Sequence, residues 1–250
     1  MNIIPILMYH NIDKAPKGIG FRELYVSPPQ FICQMFILKM LGLRGVSMTE
    51  AVPYLTGQKD GKIAALTFDD GYCDNLLNAA PILDHFGFTA TCYVVSSSIG
   101  RTNQWDSNVN NAIKPVMNTE QLKEWIDYGF EVGAHSRTHP HLTECHGDVL
   151  KGEIDGCRED LERVLHCTVR HFSYPYGSWN PFVADMVERA GFQSACTTRR
   201  GRARQGDGLF RLSRVKVRKY DTLALFAWKL VAGYEDRRAY DLAEYLDKNK

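Results

Sequence analysis

Two adjacent carboxylates directly follow a short apolar run. Asp69 and Asp70 come after Leu66-Thr67-Phe68 and are followed by Gly71. Two carboxylates at the end of a buried strand are unfavourable, because like charges repel and burial removes water from both. A metal ion relieves both problems, since one carboxylate binds the ion and the other stays near its water as a base. An ordinary Asp-Gly turn also explains this pattern taken alone.

Three histidines fall within seven residues in a second segment. His135, His139 and His141 follow the apolar run Phe130–Ala134. The spacing of His135 and His139 would fit one face of a helix, but Pro140 disfavours helical geometry before it, so we expect a loop at a strand end. Neutral imidazole is a common zinc ligand, and one aspartate with two histidines leaves open the coordination positions that catalysis requires.

Two further strand ends carry residues suited to catalysis. The run HFSYPYG over residues 171–177 surrounds a proline and a glycine with aromatic rings. Such a loop forms a rigid wall for a sugar ring and offers a backbone N–H to an oxyanion, although alone it is merely the end of a strand. The first apolar run ends in His10, and histidine, with an ordinary pKa of about 6.5, can serve there as a general acid.

Short apolar runs alternate with amphipathic stretches along most of the chain. The predicted strands cover residues 3–9, 63–68, 89–95, 130–134, 171–174 and 193–197, and the predicted helices cover residues 27–41, 74–86, 119–128, 147–165 and 180–190. This alternation predicts right-handed β-α-β units and an α/β fold, a distorted (β/α) barrel of about seven parallel strands. In such a barrel the side chains that do chemistry gather where strands end.

Composition favours a single folded domain over residues 1–250. Of the 250 residues, 44% are apolar and 24% are charged, which allows a large core and excludes wholesale disorder. Thirty basic residues oppose 29 acidic ones, so net charge attracts neither nucleic acid nor an anionic membrane. Residues 222–250 are predicted to form a C-terminal helical extension of two helices, near 223–231 and 237–246.

Cysteine content and the first residues indicate the compartment. Seven cysteines are an odd number, and none forms a C-x-x-C pair, so we expect free thiols in a reducing environment. Residues 1–10 have no basic region and only a short apolar run, which indicates a strand rather than a signal peptide. No apolar run is long enough to span a membrane. We therefore expect a cytoplasmic protein without a transmembrane segment, unless a leader has been removed.

Together these motifs resemble those of the polysaccharide deacetylases, the carbohydrate esterase family 4 group. TFDDG at Thr67–Gly71 matches the first motif of that family, and HSRTH at His135–His139 matches the second, H-S/T-x-x-H. YPYG at Tyr174–Gly177 is similar to the third. The order and spacing also agree, and the resemblance spans roughly Pro5 to Val217.

The opening run PILMYH resembles a subgroup that includes biofilm poly-N-acetylglucosamine deacetylases. In that subgroup the catalytic acid comes from the first strand of a circularly permuted barrel, which here implies His10. No histidine follows His171, which supports this assignment. Many family members have an arginine two residues before the proline of the third motif, where it orients the catalytic aspartate. That position is Ser173 here, and Arg214, from a late strand around residues 211–215, is our candidate to replace the arginine.

The resemblance also implies which role each residue of the site has. Asp70, His135 and His139 would hold a divalent metal, first of all Zn²⁺, with Co²⁺ or Ni²⁺ as alternatives. Asp69 would be the base and His10 the acid, and the backbone N–H of Tyr176 would stabilise the oxyanion. The expected substrate-binding residues are Trp105, Pro175, Tyr176, Trp179 and Arg214.

The implied activity is hydrolysis of N-acetyl groups on an amino-sugar polysaccharide or its precursor, as in exopolysaccharide synthesis. One alternative is a metal-dependent amidase for a small cyclic amide or ureide, which a narrow closed pocket would favour. An open groove lined by Trp105, Tyr176 or Trp179 would favour sugar. A second alternative is a non-catalytic carbohydrate-binding protein, against which the intact motifs argue. The amino sugar, its polymer length and the oligomeric state stay open.

Overall fold

A computed structural model describes residues 2–107 and 112–236 of the chain. The strands of these ranges are β1 (Ile3–Ile4), β2 (Ile6–Tyr9), β3 (Arg44–Val46), β4 (Ile63–Phe68), β5 (Thr91–Val94), β6 (Glu131–Ala134), β7 (His171–Ser173), β8 (Ser194–Arg200), β9 (Ala203–Arg204) and β10 (Leu212–Lys216). The α-helices are α1 (Pro28–Met40), α2 (Met48–Leu55), α3 (Ala80–Phe86), α4 (Thr119–Asp127), α5 (Gly147–Leu165), α6 (Pro181–Arg189) and α7 (Leu223–Val231).

Seven parallel strands close into a barrel, which confirms the predicted fold. Around the ring the order is β2, β4, β5, β6, β7, β8 and β10, and β10 pairs with β2 again. Strand β3 pairs with the first half of β4, and β1 and β9 form a separate antiparallel pair. The first strand of the barrel, β2, thus lies between β4 and the last strand, β10.

The core lies on both sides of the barrel wall. Outside it, the rings of Tyr9, Phe31, Phe68 and Trp125 pack edge to face or stacked, which ties β2 and β4 to helices α1 and α4. Burial of each such side chain contributes about 1.5–3 kcal/mol. Inside it, a Cβ at Gly133 would lie 2.5 Å from the ring of Tyr93, so glycine is required for that ring to fit. The wall is therefore covered by helices and filled by side chains.

The element boundaries depart from the predictions at prolines. The first apolar run is divided at Pro5, whose nitrogen has no hydrogen to donate, and only the part after it joins the barrel. The helix predicted over residues 74–86 begins as a π-helical segment, Asn75–Ala79. Pro81 cannot donate to the carbonyl four residues earlier, which loosens this turn. Helix α2 and strands β3 and β9 were not predicted, and β10 was expected only as a late strand that carries Arg214.

The described part of the C-terminal extension is helix α7, at the position predicted for its first helix. The second predicted helix, near residues 237–246, lies outside the described residues. Within the described ranges, no helix combines the length and the apolar character needed to cross a bilayer. The seven cysteines are all described, and all are free thiols as predicted.

Candidate metal centre and active-site pocket

Asp70, His135 and His139 converge at the carboxyl ends of β4 and β6. Oδ1 of Asp70 lies 3.5 Å from Nε2 of His135 and 3.5 Å from Nε2 of His139. One potential ligand atom from each residue lies within 4.8 Å of the others, and all three residues are buried. One carboxylate oxygen and two imidazole nitrogens form a donor set that suits a zinc-like ion with open coordination positions. The predicted ligands are thus brought together.

A backbone contact sets the orientation of His135. Its Nδ1 lies 2.7 Å from the carbonyl oxygen of Ser173. Because a carbonyl only accepts, Nδ1 carries the proton and donates it, which leaves the lone pair of Nε2 directed towards Asp70 and a metal. Burial alone would raise the pKa of Asp70, but in the absence of a metal His135 and His139 act as hydrogen-bond donors to it and hold that pKa well below its usual value. The donor set is therefore ionised at the carboxylate, and the residues present fit a divalent ion.

Asp69 is held by Arg214 rather than by the ligand residues. Nη1 and Nη2 of Arg214 donate to the two carboxylate oxygens of Asp69, each at 2.7 Å. Nη2 also donates to Oγ of Ser173 at 3.0 Å, and Nε donates to the carbonyl of Thr197 at 2.8 Å. Burial would raise the pKa of Asp69, but the charge of Arg214 and neighbouring groups hold it below its usual value. Asp69 is therefore an ionised carboxylate in a fixed orientation.

Arg214 lies where we expect a residue that replaces the family's arginine, which is a serine, Ser173, in this chain. The small side chain of Ser173, on β7, contacts the guanidinium of Arg214. Arg214 lies on β10, which is separated from β7 by one strand, β8. Arg214 is 0% exposed and does not line the pocket. This corrects the prediction that Arg214 contacts substrate, because a fully buried guanidinium engaged by Asp69 cannot reach it.

His10 lies beside Asp69 at the end of β2. Tyr9 of β2 pairs with Phe68 of β4, so the residues that follow them, His10 and Asp69, lie side by side. Nε2 of His10 is 4.0 Å from Oδ2 of Asp69. Burial lowers the pKa of His10, and the nearby Asp69 and Asp70 carboxylates only partly oppose this. The imidazole is therefore neutral at rest near pH 7.

An open pocket surrounds these groups. The residues that line it are His10, Asn11, Phe21, Leu24, Tyr25, Asp69, Asp70, Tyr72, Trp105, Asp106, His135, His139, Tyr174, Tyr176 and Thr198. Phe21 and Tyr176 are 44% and 46% exposed, so the pocket has an aromatic rim in contact with solvent. Trp105 stacks on His139 with ring centroids 4.8 Å apart. An aromatic rim of this kind suits the apolar faces of a sugar ring.

Several predicted residues have other positions. Trp179 packs against the core and Pro175 is buried, so neither is among the residues that line the pocket. Pro175 and Trp179 thus lie outside this pocket, and contact of either residue with substrate stays a prediction. His141, the third clustered histidine, stacks on Tyr176 with centroids 4.2 Å apart and is not part of the converging ligand set.

Comparison with known proteins identifies the family. Residues 56–195 match the family model described as polysaccharide deacetylase. YxkH of Bacillus subtilis (strain 168), which carries the name of a polysaccharide deacetylase, is 30% identical over 216 residues, 86% of this chain and 71% of its own length. The chain belongs to the polysaccharide deacetylase family.

Solved structures share the fold of this polysaccharide deacetylase. A Bacillus anthracis protein described as a polysaccharide deacetylase is similar with a TM-score of 0.77 at 28% identity, over 92% of this chain and 69% of the other. The Streptococcus pyogenes deacetylase PplD, solved in complex with acetate, also gives 0.77, at 25% identity over 92% and 98% of the two chains.

Strained backbone clusters at the site of the deacetylase. Four of the six non-glycine residues with positive φ in the described ranges are Asp70 (76°), Ser136 (59°), His139 (66°) and Tyr176 (57°). Side chains disfavour this left-handed region, so such residues persist only where the surroundings fix them, as at functional sites. The strain therefore falls on two of the three candidate ligands, Asp70 and His139, on Ser136 between the histidines, and on Tyr176, the residue predicted to face the oxyanion.

Glu153 fixes the loop between the two histidine ligands, and our sequence reasoning missed it. From helix α5 its Oε2 accepts the N–H groups of Arg137 and Thr138 at 2.9 and 2.8 Å, and its Oε1 accepts the hydroxyl of Thr138 at 2.6 Å. The signal was present, because Glu153 is an acid on the otherwise apolar face that buries Leu150 and Ile154.

Proposed function

We propose that this polysaccharide deacetylase is a metal-dependent hydrolase that removes N-acetyl groups from an amino-sugar polysaccharide or its precursor. The observation that carries the proposal is the convergence of Asp70, His135 and His139 beside an ionised Asp69 at the base of an aromatic pocket. The acetate bound to the S. pyogenes deacetylase supports it, since acetate is the acid that N-deacetylation releases.

Asp70, His135 and His139 would hold the divalent ion. When bound, the ion would lower the pKa of a water molecule and polarise the acetamide carbonyl. Asp69 accepts the proton of the attacking water, and Arg214 keeps its carboxylate ionised and in one orientation during approach. The backbone N–H of Tyr176 is our candidate donor to the oxyanion.

His10 protonates the departing amine in this proposal. Because burial lowers its pKa, His10 is neutral at rest and must gain its proton during the reaction. Asp69, whose Oδ2 lies 4.0 Å from Nε2 of His10, is placed to supply the proton it has taken from water. The products are acetate and a free amino sugar.

The pocket favours a sugar over a small cyclic amide. Trp105 and Tyr176 flank His139, and Tyr176 and Phe21 extend to the exposed rim, so the groove can accept rings beyond the reacting one. A closed site for a ureide would instead bury most of its ligand.

The test is acetate release from N-acetylglucosamine oligomers by metal-stripped protein, before and after addition of Zn²⁺ or Co²⁺. We expect no release without metal and release after it, with little hydrolysis of a cyclic ureide under the same conditions. Ureide hydrolysis without acetate release would support the amidase alternative. No hydrolysis of either substrate by metal-loaded protein would contradict the proposal.

A further inference from the structure

Helix α1 is apolar on its outward face as well as its inward one. Phe31, Met35 and Leu38 are buried against the barrel, as expected for a helix on its outside. The opposite face carries Phe36, which is 53% exposed, and Met40, which is 70% exposed. A helix that is apolar all round is normally covered on every side. The outward face of α1 therefore points to an additional contact.

Helix α7 repeats this pattern next to α1. It buries Phe226 and Leu230, while Trp228 and Val231 on its outer side are 49% and 61% exposed. The two helices pack against each other. Nε2 of Gln30 in the first turn of α1 also donates to the carbonyl of Asp221, at the start of α7, at 3.1 Å. We call their joint outer surface the α1–α7 face, formed by Ile32, Phe36, Met40, Leu223, Trp228 and Val231.

The charged side chains of the two helices are lysines. Neither helix contains an aspartate or glutamate. Lys39 is exposed on α1, and Lys219 precedes α7 beside Tyr220, which is 67% exposed. Of the acids next to the face, Asp221 is buried and paired with Lys229 at 2.6 Å, and Glu23 lies beside Lys219 at the end near the pocket. The surface is therefore apolar, edged by lysines, and carries Trp and Tyr, the side chains enriched where proteins meet a lipid interface.

We propose that the α1–α7 face binds the surface of an anionic phospholipid bilayer. Its apolar side chains enter the acyl boundary, while Lys39 and Lys219 meet the anionic headgroups. The overall charge of +1 gives no long-range attraction, so the local arrangement carries the binding.

This orientation brings the pocket next to the membrane. The N–H of Lys219 donates to the carbonyl of Glu23 at 3.0 Å, and Glu23 lies in the loop that supplies Phe21 to the pocket rim. The α1–α7 face thus begins at the rim of the pocket. A substrate at the bilayer surface, such as a glycan carried on a lipid, would reach the site without leaving the headgroup region. The lipid contact itself does not depend on the proposed chemistry.

The test is co-sedimentation of the full chain with phosphatidylcholine vesicles that contain about one-third phosphatidylglycerol. We expect binding that weakens in high salt and is much poorer with pure phosphatidylcholine. Phe36→Asp and Trp228→Asp should each weaken binding about tenfold, because each removes one large apolar side chain from the lipid. Phe182→Asp, at a 62% exposed position on α6, is the matched control and should bind like the wild type.

All three positions are exposed, so the variants should fold, which an unchanged unfolding temperature would show. Acetate release from soluble oligomers should also be unchanged, which separates this inference from the proposed activity. No binding to the anionic vesicles would overturn the proposal. So would equal binding of Phe36→Asp and wild type, or a wild-type dimer that Phe36→Asp dissociates.

Discussion

At the scale of residues, the ion pair between Asp69 and Arg214 determines what the site can do. Two parallel hydrogen bonds of 2.7 Å fix the plane of the carboxylate, which a single-point cation could not do. Both groups are buried, so loss of either one leaves an uncompensated charge, at a cost of about 3–5 kcal/mol. Arg214 is therefore a positioning residue that acts on substrate through Asp69.

Arg214→Lys tests this role. A lysine keeps the positive charge but lacks the planar fork, so the Asp69 carboxylate should rotate away from its working position. Misplacement by about 1 Å can reduce turnover roughly a hundredfold, so we expect kcat to fall by about that factor while bound metal is unchanged. Arg211→Lys, at an exposed position before the same strand, is the matched control for steady-state kinetics. Wild-type kcat in Arg214→Lys would contradict the role.

At the scale of elements, helix α5 determines the shape of the ligand loop. Ser136 and His139 adopt left-handed backbone angles, and the N–H groups between them point to Glu153. Oγ of Ser136 also accepts the N–H of His139 at 2.9 Å. A carboxylate that accepts three bonds from one loop holds it in a conformation that the loop sequence alone would disfavour.

Glu153→Gln should weaken metal binding without removing a ligand. The amide of glutamine has only one oxygen, so its NH₂ group would face donors of the loop and release one side of it. Loss of such a supporting contact typically weakens metal affinity by about 10–100-fold. Competition with a chromophoric zinc chelator measures this affinity independently of activity. Glu159→Gln, at an exposed position of α5, should be unaffected. Equal affinity of Glu153→Gln and wild type would exclude the role.

The sequence predicted the elements that follow regular periodicity, and it missed those defined by distant contacts. The barrel and its long helices came from alternation, and Asp69 was found because it stands in a motif. Strand β10 did not emerge from this alternation because Leu212–Lys216 looks polar from sequence, and it was expected only through Arg214. Its Arg214 is buried only because Asp69, 145 residues away, neutralises it inside the barrel. No local pattern contains that information. Glu153 differs, because its place on the apolar face of α5 was a local signal, while the loop that it holds was not visible in that pattern.

At the scale of the whole molecule, barrel closure brings residues of the first and last barrel strands, β2 and β10, into one site. His10 comes from β2 and Arg214 from β10, and the pairing of these strands places both next to Asp69. After the last barrel strand, the segment that contains Glu235 is joined to β8 and α7 by a buried network of ion pairs. Arg200 of β8 donates to its carboxylate, and Nζ of Lys229 lies 3.2 Å from Oε1.

Glu235→Gln should destabilise the molecule in a pH-dependent manner. Burial would raise the pKa of Glu235, but Arg200 and Lys229 hold it below its ordinary value of 4.5. Because the folded-state pKa is depressed, its contribution to stability is complete above about pH 4.5 and is lost as pH falls through the folded-state value. We expect denaturant unfolding at pH 7 to show a loss of about 3 kcal/mol, as for a broken buried pair. The difference from wild type should shrink at pH 3, and a constant difference would contradict this account.

The most direct test of the central claim is Zn²⁺ binding together with acetate release by Asp69→Asn. If Asp70, His135 and His139 hold the ion and Asp69 is the base, this variant binds one Zn²⁺ per chain like wild type and loses nearly all turnover. His135→Ala, the reference for loss of a ligand, should lose both. Wild-type acetate release by Asp69→Asn would contradict the assignment of the base, and loss of Zn²⁺ binding in that variant would show that Asp69 is itself a ligand.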